Sequence, residues 1–240
     1  MKKSLIFLLT LVLLTGLALP VFAVKDDPLL TLVNPWNPLP ADWTVELVSI
    51  GNGHKVDERC YDDLTAMLEA CKAAGLRPVV RSSYRSQATQ KRLYENKVSQ
   101  WKGYGYSDAD ARKKAATIVA PPGTSEHQMG WALDIVDASY QVLNEKQATM
   151  PAQMWLMEHS WEYGFILRYP VNKSDVTGII YEPWHYRYVG KEYAKAIYES
   201  GLCLEEWLEQ RETLQAVENA VNAQLEEARR RAFAVLWNQK

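Results

Sequence analysis

The stretch Ser125-Glu126-His127-Gln128-Met129-Gly130-Trp131-Ala132-Leu133-Asp134 constrains the fold of this chain more than any other. It puts an aspartate inside an otherwise apolar run, and a buried carboxylate is costly unless it is paired or bound to a cation. A second stretch, Glu182-Pro183-Trp184-His185, offers another histidine with a spare glutamate beside it. His127, Asp134 and His185 together are the donor set of a catalytic zinc site, with three protein ligands and one position left open. Any fold for this chain has to bring these two stretches to one place.

Local reading shows how that could happen. Gly130 breaks regular helix between His127 and Asp134, so His127 is expected on a loop and Trp131–Val136 on a strand. On that strand Ala132 and Asp134 share one face and Leu133 and Ile135 the other, and the small Ala132 leaves room near a metal. Asp134 is then either a ligand or half of a buried salt bridge. Glu182 and His185 are separated by a proline and so do not share a helix. A kink at Pro183 lets both face one cavity, with His185 on the metal and Glu182 within reach of an activated water as its base. Arg85 lies between an expected strand (Leu76–Ser83) and an expected helix (Gln87–Gln100), where side chains often face a cleft. It is either a surface arginine paired with a carboxylate or the positive charge that meets a carbonyl oxygen as it becomes anionic. The His-Glu-x-x-His helix of many zinc peptidases is absent from the sequence.

Around these stretches the pattern alternates between strand and helix. Trp43–Ile50 alternates like a strand and Gly51-Asn52-Gly53 reads as a turn. Asp57–Ala74 reads as a helix with Leu64, Met67, Leu68 and Cys71 on one face, stopped by Gly75. Ser107–Ala116 is a short helix with Ser107 and Asp110 in the slots of a capping box. Met150–Tyr163 is a helix ended by Gly164, followed by strands at Phe165–Tyr169 and Glu182–Val189. His54 reads as a solvated or capping histidine, His159 as a packing or surface one, and Glu126 as a solvated loop residue without a role.

At 240 residues the chain can bury one sizeable core. The expected organisation is a signal peptide (1–23), an extended proline-rich lead-in (24–42), a catalytic domain (43–209) and a C-terminal helical extension (210–240). Lys2-Lys3, the apolar run Leu5–Leu19 and Val21-Phe22-Ala23 form the signal, either cleaved after Ala23 or retained as a membrane anchor. In the extension, Leu214, Val217, Val221, Leu225, Ala228 and Ala232 form an apolar stripe expected to pack on the domain. Arg229-Arg230-Arg231 with Phe233 and Trp237 is the alternative, a contact with an anionic membrane surface. A formal net charge of −2 gives no basic field for nucleic acid. Cys60 and Cys71 share a helix, about 16 Å apart along its axis, so they are not a disulfide pair. A long-range pair with Cys203 is the alternative to three free buried thiols, which are expected.

The motif Ser125-x-His127-x-x-Gly130-x-Ala132-x-Asp134, followed by Glu182-x-Trp184-His185, resembles the VanY-type D-alanyl-D-alanine carboxypeptidases. Ser82-Ser83-Tyr84-Arg85-Ser86 with Gln90 matches the upstream motif of that family. The resemblance covers Val45–Leu208 and extends to a wider group with lysostaphin-type enzymes and hedgehog proteins. It implies an α+β fold with a small, mostly antiparallel sheet and packed helices. It implies one zinc ion on His127, Asp134 and His185, Glu182 as base, and Arg85 on the scissile carbonyl or its oxyanion. Ser125, Gln90, Tyr84 and Trp184 would contact the substrate. The implied activity is removal of the terminal D-alanine from peptidoglycan stem peptides by direct attack of activated water; with the N-terminal signal the expectation is an exported enzyme of the cell envelope, acting as a monomer. An L,D-carboxypeptidase, a D,D-dipeptidase or an endopeptidase would cut related bonds, and a zinc-stabilised wall-binding module is the non-enzymatic alternative. Such a module would not need both Glu182 and Arg85.

Overall fold

Four strands carry the site. In the computed structural model, which describes residues 27–237, β3 (Pro78–Ser82), β4 (Ala132–Asp137), β6 (His185–Tyr188) and β5 (Phe165–Leu167) form one antiparallel sheet in the order β3-β4-β6-β5. A separate antiparallel hairpin joins β1 (Leu47–Gly51) to β2 (His54–Asp57) across the turn at Asn52 and Gly53. The fold is α+β, as the resemblance implies.

All six residues of β4 are buried. Leu133 and Ile135 point into a core shared with Cys60, Leu64, Met67 and Cys71 of α1 (Glu58–Ala73), with Ala152 and Leu156 of α4 (Pro151–His159), and with Phe165, Tyr186 and Tyr188. Each such aliphatic side chain contributes about 1.5–3 kcal/mol by leaving water. The opposite face of the strand carries Asp134, so the period of two delivers the aspartate to the cleft while its neighbours hold the core. Helices α2 (Gln87–Gly103) and α3 (Asp108–Ala116) pack on each other through Tyr94, Val98, Ala111 and Ala115.

Caps follow the sequence. Asp57 caps α1 and Ser86 caps α2. Ser107 caps α3 by accepting from the Asp110 amide, and its hydroxyl also meets the Asp110 carboxylate at 2.6 Å. Several boundaries differ from expectation. The first strand starts at Leu47, and Trp43 ahead of it packs edge-on against Trp131 with ring centroids 4.7 Å apart. Helix α2 runs on to Gly103, three residues past Gln100. The expected helix through Tyr163 changes at Ser160 into a 3-10 turn, which Gly164 closes in the left-handed region. Ser174–Thr177 forms a short helix, α5, between the two expected strands Phe165–Tyr169 and Glu182–Val189. Helix α6 (Lys191–Ser200) ends at Gly201, before the long α7 (Leu204–Trp237).

The compact unit around the site spans Pro28–Gln210. The segment expected as a surface lead-in is therefore partly inside it: Leu30 and Val33 are buried, and Val33 joins the main core. Carbonyls of Leu29 and Thr31 accept from Arg187. Residues 211–237 of α7 belong to a second unit. There Leu214, Val217, Val221 and Leu225 are exposed. Arg229, Arg230 and Arg231 each pair with Glu226 or Glu227, which lowers the net charge of that tract. The expected signal or anchor (1–23) lies outside the described residues. Among the described residues no helix is long and apolar enough to cross a membrane. Cys60, Cys71 and Cys203 are free, buried thiols, and burial pushes Cys60 up to about 12.

Candidate metal centre

The register of β4 against β6 places Asp134 directly opposite His185. His127 arrives from a 3-10 turn, Glu126–Met129, that ends at Gly130 with φ of 79°. A β-carbon at Gly130 would come within 3.0 Å of Asp57 Cβ and Val45 Cγ1, and its carbonyl accepts from the Asp57 amide. Only glycine turns the chain there without strain. The Arg85 amide bonds the His127 carbonyl, so the loop carrying Arg85 is fastened beside the same turn.

Three atoms converge. Asp134 Oδ1 lies 3.3 Å from His127 Nε2 and 3.2 Å from His185 Nδ1. All three side chains are buried, and their candidate ligand atoms lie within 4.8 Å of one another. His127 Nδ1 is 2.8 Å from the Ser83 carbonyl, which can only accept, so that nitrogen carries the proton and Nε2 is bare. Asp134 Oδ1 is buried and accepts no hydrogen bond among the described residues. The bare His127 Nε2 thus faces Asp134 Oδ1 lone pair to lone pair, and a cation resolves this. For a tetrahedral ion with bonds of about 2.0–2.2 Å the ligand atoms stand roughly 3.3 Å apart, which is the spacing found between Asp134 and each histidine. The donor set of two imidazoles and a carboxylate suits zinc.

Electrostatics agree with that arrangement. Burial, with the Arg85 charge adding, pushes His127 down to about 4, which keeps its ring neutral and ready to ligate. Burial works against charge on His185, but the carboxylates of Asp134 and Glu126 overcome it and push that ring up to about 9. The field at this point therefore favours positive charge. Burial alone would raise Asp134, yet the surrounding His127 and Arg85 hold it well below the ordinary carboxylate range.

A cleft of about 400 Å³ opens over these groups. Arg85, Ser125, Tyr169, Glu182 and Trp184 line it beside the three candidate ligands, and Leu93, Asn96, Lys97 and Gln100 of α2 extend it. Glu182 Oε2 stands 3.6 Å from His185 Nδ1. Burial, reinforced by Asp134, pushes its carboxyl up to about 8 against the opposing charges of His185 and Arg85. Such a group exchanges a proton near neutral pH, as a general base must.

A family-profile comparison matches residues 53–191 to "VanY: D-alanyl-D-alanine carboxypeptidase". The chain belongs to this VanY family. A D-alanyl-D-alanine carboxypeptidase of Enterococcus faecalis is 46% identical over 180 residues, covering 75% of this chain and 65% of its own length. Among solved structures, a vancomycin-resistance D,D-pentapeptidase VanY from a VanB-type cassette, a glutamate-to-alanine variant in complex with Zn(II), is 45% identical with a TM-score of 0.68. The alignment covers 75% of this chain and 98% of that one. VanYB in complex with D-alanine-D-alanine is 44% identical with a TM-score of 0.69, covering 75% and 97%.

Within this VanY fold not every expected substrate contact faces the cleft. Ser125 and Trp184 do. Gln90 does not: it is fully buried, donates to the Ala120 carbonyl at 2.7 Å and accepts from Arg85 at 3.4 Å. It braces Arg85, because its position on α2 faces the domain interior. Tyr84 is not among the cleft-lining residues, and its amide is tied to the Lys55 carbonyl. Ala132 sits opposite Arg187, so the room it leaves lies beside that arginine. His54 contacts Ser83, and His159 contacts Glu162, away from the ligand set. Two residues were not foreseen. Tyr169 lines the cleft with its ring 4.7 Å from that of His185. Glu126, expected as a solvated loop residue, is fully buried and ion-paired to Arg168 and Arg187, both charges drawn from sheet strands or their ends.

Proposed function

We propose that this protein is an exported zinc D,D-carboxypeptidase that removes the C-terminal D-alanine from D-Ala-D-Ala-ending peptidoglycan stem peptides. The observation that carries the reading is the convergence of His127 Nε2, Asp134 Oδ1 and His185 Nδ1 beside Glu182 in one cleft. His127, Asp134 and His185 would hold the zinc ion. When bound, zinc supplies Lewis acidity that activates water and polarises the scissile carbonyl.

The residues of the chain do the rest. Glu182 takes the proton of the attacking water and returns it to the departing D-alanine amine. Arg85 keeps its Nη2 on Asp134 Oδ2, and its remaining donors give the cleft positive charge as the carbonyl oxygen becomes anionic. Ser125 and Trp184 contact the peptide. Water attacks directly, so no acyl-enzyme forms. The binding of D-alanine-D-alanine by a relative that is 44% identical supports this substrate over a tetrapeptide or an internal bond.

Export through the N-terminal segment would place the enzyme where its substrate lies, and a monomer suffices for a site built from one chain. The exposed Phe233 and Trp237 of α7 support contact with a membrane surface.

The test is direct. The purified protein, with zinc and with a chelator, is incubated with muropeptides ending in D-Ala-D-Ala, in a single D-Ala, or in D-Ala-D-lactate. Mass spectrometry should show loss of one D-alanine from the first, abolished by chelation. Cleavage confined to the tetrapeptide, or release of a dipeptide, would replace this reading with one of its neighbours.

A further inference from the structure

Glu126 faces neither substrate nor metal, yet its carboxylate is enclosed by groups that fix it on every side. We infer that Glu126 is a positioning residue: it holds His185 through Nε2 so that Nδ1 is the nitrogen offered to the metal. The inference rests on the three-ligand reading of the site.

The geometry separates the two oxygens of the carboxylate. Oε1 accepts from Arg168 Nε at 2.7 Å and from Arg187 Nη1 at 2.8 Å. Oε2 lies 3.4 Å from His185 Nε2. The other nitrogen of that ring, Nδ1, is the one 3.2 Å from Asp134 Oδ1. A neutral imidazole carries one N–H. With that proton on Nε2, the ring donates to Glu126 and presents a bare Nδ1 to the metal. With the proton on Nδ1, the Nε2 lone pair would face a buried carboxylate and the metal position would be blocked. Glu126 therefore selects the tautomer, as a carboxylate behind a metal-bound histidine does. The Ser83 carbonyl performs the same task for His127 from the opposite nitrogen. The two histidines thus ligate through different ring atoms.

The support behind Glu126 is extensive. Arg168 donates to both oxygens of Glu205 in the first turn of α7, at 2.8 and 2.6 Å. Asn34 donates to the same glutamate at 3.1 Å. Arg187 reaches the carbonyls of Leu29 and Thr31 at 3.1 and 3.0 Å. The Arg168 guanidinium also lies over the Tyr169 ring, which packs on His185. Two arginines balance two glutamates. A buried ionic network of this kind adds little stability over an apolar core of the same shape, whereas it fixes orientation well. The segment 29–34 and the start of α7 are by this reading part of the frame of the metal centre.

The experiment uses the full chain labelled with 15N-histidine and loaded with 113Cd, a spin-active substitute for zinc. Cadmium–nitrogen coupling should appear at Nε2 of His127 and at Nδ1 of His185, with a solvent-protected proton on His185 Nε2. Coupling at His185 Nε2, or an Nε2 without a protected proton, overturns the inference. Coupling to neither histidine overturns the three-ligand site and the inference with it. Glu126→Gln keeps the shape and should weaken zinc binding about 10–100-fold in chelator competition, with loss of the protected proton. Wild-type affinity in a folded Glu126→Gln protein overturns the inference, and the wild-type spectra decide it if that variant does not fold.

Discussion

Arg85 Nη2 lies 2.7 Å from Asp134 Oδ2, while Oδ1 of the same aspartate faces the two histidines. One carboxylate thus ties the metal position to the cleft arginine. The sequence left Asp134 as either a ligand or a salt-bridge partner, and the structure has it placed for both, one oxygen each. Removing Arg85 would therefore act twice, by taking positive charge from the cleft and by leaving Oδ2 buried and unpaired. Arg85→Met should lower kcat by about 10²–10³. It should also weaken zinc binding about tenfold or more, since partners behind a ligand act on affinity. Steady-state kinetics on a D-Ala-D-Ala peptide and chelator titration separate the two effects. Unchanged zinc affinity would remove Asp134 support from the tasks of Arg85.

Glu182 offers a cleaner separation of chemistry from metal binding. Its carboxylate stands beside the ligand atoms without belonging to the converging set. Glu182→Gln should keep zinc and the fold, and lose about 10²–10⁴ in kcat, the contribution of a positioned base. Metal analysis and turnover on one preparation check it. Turnover near wild type would mean that another group takes the proton.

How much of this was legible depends on the reach of each signal. The helices Glu58–Ala73 and Asp108–Ala116 follow from apolar period and caps within a few residues, and so does β4 from its alternation. The strand His54–Asp57 was not legible, because four residues pairing across a turn carry no period of their own. The candidate ligands were legible because a buried Asp134 needs a cation or an ion-pair partner, and the family motif favours the cation. Glu126 was not, because its partners Arg168 and Arg187 are 42 and 61 residues away. A signal existed, however: Arg187 lies between two tyrosines in a buried strand and needs a carboxylate. Gln90 failed in the other direction, since helical spacing does not distinguish a cleft-facing position from one turned toward Ala120.

Gly130 is where fold and site meet. Its φ of 79° and the 3.0 Å approach to Asp57 and Val45 leave no place for a methyl group. Gly130→Ala should destabilise the protein by about 1–3 kcal/mol, the usual cost of a strained backbone position. Because the strain falls between His127 and Asp134, zinc affinity should drop as well. Urea unfolding of the metal-free protein and chelator competition give the two numbers. A loss of stability with full zinc affinity would show that the turn relaxes away from the ligands.

Asp57 lies on the other side of that glycine and sets a pH dependence. It caps α1 and receives Arg59 Nε at 2.6 Å, Arg59 Nη2 at 2.9 Å and the Arg59 amide at 3.0 Å. Burial alone would raise its carboxyl, but these bonds hold it below the ordinary 3.8. A carboxyl depressed in the folded state stabilises it at pH values above the unfolded value, and that stability is lost as the pH falls through the folded value. Asp57→Asn keeps a capping oxygen and removes the charge. The stability difference between wild type and Asp57→Asn should be constant from pH 7 to about 5 and shrink below about 4. Urea titrations across that range measure it. A difference that persists undiminished in acid would assign the effect to shape at the cap and leave the Arg59 pair without weight.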